Sequence, residues 1–169
     1  MDQANINFAV YEDGSEFLGI TSVTLPDINW LTSTVSGAGL AGTIEAVIIG
    51  HLDAMTMTMN FRTVTQEAIR LTEPRRHNID LRVAQQDEDT VAGAIQVRKV
   101  KHVMVVVPKA YKGGNVAPAS AADASGDYAV RYWATFIDGK KVTEIDPMNY
   151  ICVINGVDYL ADVRTALGK

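Results

Sequence analysis

The chain has 169 residues, enough for one sizeable core, and its 47% hydrophobic and 21% charged content is ordinary for a globular protein. A net charge of −5 and a pI near 5.1 exclude the basic surface expected of a dedicated nucleic-acid binder. The lone Cys152 rules out an internal disulfide, and there is neither a run of about 18–20 apolar residues nor a basic leader ahead of an apolar core, so the expectation is a soluble chain made in a cytoplasm, with no membrane anchor.

The first predicted element is a hairpin: "INFAVY", the turn "EDGS", and the return "EFLGITSVTLP". Asp13-Gly14 between two β-rich runs is its signal. Pro26 ends the return strand because it has no N–H to give to a ladder. Residues 27–43 read as looser chain, with "SGAGLAG" a flexible loop of small residues. "TIEAVIIG" (43–50) is rich in Val and Ile and reads as a strand. It is expected to pair as a hairpin with the next one, "DAMTMTMNF" (53–61).

That next strand is divided by residue type. Met55, Met57 and Met59 alternate with Thr56, Thr58 and Asn60, which gives one dry face and one wet face at a period of two. "TQEAIRL", with Thr65 as N-cap and Pro74 as stop, predicts a short helix between strands. "HNIDLRVAQQ" (77–86) alternates again, "DEDT" (87–90) reads as a turn, and "GAIQVRKVKHVMVVVP" (93–108) is a long strand that becomes continuously apolar. "KGGNVAPASAADASG" (112–126) is a Gly/Ala/Ser/Pro tract and is expected to form a mobile loop. Strands follow at 127–137, after the Asp138-Gly139 turn in "KKVTEID", and at "YICVI" (150–154). Val157, Leu160, Val163 and Leu167 recur at helical spacing, so an amphipathic C-terminal helix ending at Gly168 is predicted, with Leu160, Val163 and Leu167 against the sheet. The fold class is mainly β: an antiparallel sandwich or barrel with a short middle helix and a C-terminal helix. It is read as a single domain over 1–169, with flexible loops near 36–43 and 112–126.

Catalytic chemistry finds no foothold. Gly37, Gly39 and Gly42 spell G-x-G-x-x-G, but a β-branched strand follows them, and about twenty residues beyond Gly42 lies Arg62 where a dinucleotide site needs an acid. His51, His77 and His102 lack ligand spacing, so no metal and no cofactor is expected. Cys152 sits in an apolar run and reads as structural. The basic cluster "RKVKH" (98–102) has no interleaved aromatics and reads as a solvated edge or a charged subunit interface. The pattern fits a binding module or a building block and not an enzyme.

Three stretches carry a family likeness: "GITSVTLP", "GAGLAGTIEAVIIG" running into "LDAMTMTMNF", and "EIDPMNYICVINGVDYLADVRTALG". In the last, Glu144, Ile145, Asp146, Asn149, Asn155, Gly156, Asp158, Leu160, Arg164, Leu167 and Gly168 fall on the pattern. The chain resembles the major tail tube proteins of contractile-tailed bacteriophages and related tail-like bacteriocins. The resemblance implies subunits that join sheets into a ring-shaped inner β-barrel, with hexameric rings stacked into a tube inside a contracting sheath. It implies assembly in a host bacterial cytoplasm, with partners that are further copies of the chain, tail sheath, tape measure, baseplate and tail terminator proteins. DNA would pass without specific binding. It places Thr56, Thr58 and Asn60 on the lumen, with acidic side chains such as Glu45 nearby, turns Met55, Met57 and Met59 to the core, and makes Gly37, Gly39, Leu40 and Gly42 an inter-ring or inter-subunit loop. A tube subunit of a type VI-like secretion machine and a non-enzymatic ligand-binding β-sandwich are the alternatives.

Overall fold

Period-two patterning becomes sheet almost throughout. A computed structural model describes residues 1–169. In chain order the elements are β1 (Asp2–Glu12), β2 (Ser15–Phe17), β3 (Ile20–Thr24), β4 (Trp30–Val35), β5 (Ile44–Leu52), β6 (Met55–Phe61), α1 (Gln66–Arg70), β7 (His77–Asp89), β8 (Ala94–Lys112), β9 (Ala124–Ile137), β10 (Lys140–Asp146), a 3-10 turn (Pro147–Asn149), β11 (Ile151–Ile154), β12 (Val157–Asp158) and α2 (Ala161–Ala166).

The main sheet is antiparallel in the order β12-β11-β10-β9-β8-β7-β1-β2, and it branches at β9. The first part of β9, Ala124–Val130, pairs with β6, while Trp133–Ile137 pairs with β10. β6 carries β3 on its other side, and Leu18-Gly19 runs from β2 into β3. The sheet therefore curls on itself, but no ladder closes it into a barrel. Two of its hairpins turn on Asp-Gly pairs with both residues at positive φ, the geometry that matches the twist of the flanking strands.

Inside the curl Met57, Met59, Met104, Ile79, Val106 and Tyr128 are fully buried. Each large side chain of this kind contributes about 1.5–3 kcal/mol on burial. α1 closes one mouth with Ala68 and the following Leu71. Thr65 caps it, its hydroxyl accepting from the Ala68 N–H at 3.2 Å. Behind the helix lies a buried polar pair. His77 Nε2 lies 2.9 Å from the Glu73 carbonyl, which can only accept, so Nε2 carries a hydrogen. His77 Nδ1 is 2.6 Å from Glu12 Oε1, and Arg75 reaches the same oxygen at 3.2 Å. The charge of this buried carboxylate is thereby compensated, as burial demands.

Four expectations are corrected. β5 does not pair with β6: it pairs with β4, a strand inside the segment read as loose, while β6 joins β3 and β9. "DEDT" is not the turn, since β7 runs to Asp89 and the turn follows it. β9 starts at Ala124, inside the tract read as loop. The C-terminal helix is short, because Asn155 and Gly156, both at positive φ, fold Val157 and Asp158 back as β12 and delay the helix to Ala161. Leu160 is buried, Val163 half-buried, and Leu167 lies beyond the helix and is 53% exposed.

Candidate assembly surface

β6 places its methionines and its polar residues on opposite sides of one sheet. Met55, Met57 and Met59 are buried in the curl. Thr56, Thr58 and Asn60 point the other way and are half-buried. Their hydrogen bonds are made largely among themselves and their neighbours. Thr58 Oγ1 donates to Asp127 at 2.8 Å, Asn60 Nδ2 to Ser22 Oγ at 2.7 Å, and Lys109 Nζ to Thr56 Oγ1 at 3.2 Å. Ser22 and Thr24 on β3 and Ser125 and Asp127 on β9 lie opposite in register, so this face is a continuous patch of short polar side chains. Glu45 is exposed on β5, opposite Thr34, and not on either strand that flanks β6.

Two features leave strand edges unpaired. The first is an arm: β4 and β5 form a two-stranded sheet separate from the main one. Val35, Leu40, Ile44, Val47 and Ile49 are exposed along it. Gly37, Gly39, Leu40 and Gly42 lie in its exposed distal turn, where the Leu40 N–H donates to the Gly37 carbonyl. The second is a fin made by the far ends of β1, β7 and β8. β2 covers β1 only over Val10–Glu12, and β9 meets β8 only from Val100 onward. Ile6, Ile95 and Val97 on the fin are 53–68% exposed. An isolated hairpin is marginal in water, and open edges with apolar residues invite another chain.

Several of the charged and reactive groups find their partners within the chain. Of the basic cluster, Arg98 bridges Asp2 at 3.0 Å and Asp87 at 2.8 Å, and Lys101 lies 3.5 Å from Asp80. His51 is exposed on the arm, whereas His77 and His102 are buried apart from each other on β7 and β8. The Trp133 indole N–H, which can only donate, reaches His102 Nδ1 at 3.2 Å, so that nitrogen holds a lone pair and the ring is neutral. Burial pushes the His102 pKa down. Burial, and secondarily Asp158, pushes the Cys152 thiol up, away from thiolate chemistry.

Sequence reasoning missed the corner that Trp30 anchors. Trp30, Ile48, Ile154 and Tyr159 line an apolar cleft at the root of the arm, beside Gly50. The available signal was Gly50 itself, a residue without a side chain closing a β-branched run.

Known proteins agree with this architecture. No curated protein sequence matches the chain. Among solved structures, one similar chain comes from the "Cryo-EM Structure of an Extracellular Contractile Injection System, PVC sheath/tube terminator in extended state". It is 11% identical, with a TM-score of 0.51, and the match covers 78% of this chain and 94% of that one. At that identity the likeness speaks for the fold. No helix is long and apolar enough to cross a membrane. The family described as "Phage tail tube protein FII" matches residues 3–168, nearly end to end, and the chain belongs to that family of structural tail components.

Proposed function

We propose that the chain is the repeating subunit of the inner tube of a contractile injection particle. Copies join in rings, six to a ring, and the rings stack into a hollow conduit that sheath contraction drives through a bacterial envelope. The observation that carries this reading, beside family membership, is the unsupported β4–β5 arm. Two strands with apolar residues in water on both sides gain little until another surface covers them. A second copy supplies that surface. The fin's open β1 and β8 edges take strands from neighbouring copies in the same way, which removes the edges and continues the sheet from subunit to subunit. The split of β6 supports a lumen lined by Thr56, Thr58 and Asn60 with the methionines behind it. Sheath, tape measure, baseplate and terminator proteins are the further partners, and the particle is a phage tail or a bacteriocin.

The test is negative-stain microscopy and sedimentation of the purified chain at rising concentration. Rings or stacked tubes are expected. A species that stays monomeric at high concentration, and is not recruited by its sheath and terminator proteins, overturns the proposal.

A further inference from the structure

We infer that the C-terminal corner around Leu160 is the seat that aims the β4–β5 arm, and that the Gly50–Leu160 contact is a positioning determinant of assembly. The assembly part of this inference rests on the tube reading above; the seat itself does not.

The arm shares no ladder with the main sheet, so strand pairing does not fix its direction. Its two legs are closed at the root, where the Asp53 N–H donates to the Asn29 carbonyl at 2.8 Å, and the register breaks between Trp30 and Thr32, which frees the arm to bend away. Just inside that root β5 passes through Gly50 at φ +68°, a left-handed conformation in the middle of a strand. A Cβ added there would stand 2.2 Å from Leu160 Cδ2 and 2.5 Å from its Cγ. The β5 backbone therefore rests directly on the Leu160 side chain, and only a residue without a side chain fits between them.

Leu160 is itself held firmly. It is 4% exposed, and its N–H donates to Asp158 at 3.1 Å. Asp158 is paired with Arg164, whose Nη1 also donates to the Tyr150 carbonyl at 2.6 Å. Trp30, Ile154 and Tyr159 complete the apolar corner. The β11–β12 turn, the Asp158–Arg164 pair and α2 thus form a platform, and the arm leaves the body in the direction that the platform allows. Leu160→Ala separates this from the bland reading, that Gly50 is needed only for its backbone angle, because it empties the seat and leaves that angle alone.

The experiment uses the full chain and two readouts: hydrogen exchange of the arm amides in unassembled protein, and assembly by microscopy. Gly50→Ala is expected to speed exchange over residues 30–52 by about tenfold or more, to leave β6–β9 protected, and to abolish assembly. Leu160→Ala, which leaves the Gly50 backbone angle untouched, is expected to speed arm exchange over residues 30–52 in the same way with β6–β9 still protected, because the seat is gone. Wild-type arm exchange in Gly50→Ala or in Leu160→Ala, or equal loss of protection in β6–β9, overturns the inference. If the arm responds as expected while wild type itself never assembles, the seat stands and the tube reading falls.

Discussion

His102 ties stability to pH through one side chain. In the folded chain Nδ1 accepts from Trp133, and burial keeps the ring neutral with its pKa lowered. The unfolded chain titrates near the ordinary value of about 6.5. On acidification the unfolded state takes up its proton first, so the contribution is complete above about pH 6.5 and is lost as pH falls towards the lower folded value, by at most about 1.4 kcal/mol per pH unit. Urea midpoints at pH 7.5 and 5.5, followed by tryptophan fluorescence, are expected to drop in wild type and to drop less in His102→Gln. The Glu12–His77 pair is present in both proteins and cancels in the comparison; equal drops would show that His102 carries no linkage. Neither buried histidine was legible in the sequence, because each partner lies more than thirty residues away: Glu12 from His77, Trp133 from His102. The alternation of Met55–Asn60 was legible because its partners are its own neighbours in the pattern.

At the scale of elements, strands with strong period two came through the sequence, and their pairings did not. β5 and β6 are adjacent in the chain and look like a hairpin, yet β6 finds β3 and β9. Register with distant strands is set by which faces must be buried together, and local composition does not record that. β4 was hidden because "TSTV" is small, polar and exposed, a strand held by β5 alone. A strand held that way adds little to the folding of the rest. Thr32 and Val47 are opposite in register. Removing residues 33–46 and joining these two by Asn-Gly should leave the thermal midpoint within about 4 °C of wild type, which is about 1 kcal/mol for a chain of this size. Assembly should be lost. A large fall in midpoint would mean that the arm belongs to the folding core; normal assembly would mean that the arm is not an interface.

For the whole molecule, the branch of β9 decides which surfaces exist. One strand serves β6 with its first half and β10 with its second, so the sheet presents a polar patch near β6 and a separate edge beyond β10. The class of fold followed from alternation and turns, whereas the branch followed from nothing local: Val130 and Tyr132 bracket a register shift that only the three-dimensional pairing reveals. The polar patch gives a test of the conduit. Changing both Thr56 and Thr58 to Lys should permit rings, since both side chains already reach solvent. It should slow passage of DNA in a salt-dependent way through new phosphate contacts. Microscopy alongside infectivity, or killing if the particle is a bacteriocin, reads both arms. Loss of folding would place the threonines in the core, and normal delivery would remove this face from the conduit.

The hydrogen bonds already made across that patch carry one more consequence. Thr58 holds Asp127, Asn60 holds Ser22, and Lys109 holds Thr56. The neutral groups among these are already paired, so a molecule moving past gains little by exchanging one hydrogen bond for another. On the tube reading, the neutral pairs would give passing cargo shallow wells of similar depth, and the exposed Lys109 would be the one group in these three pairs able to hold a phosphate.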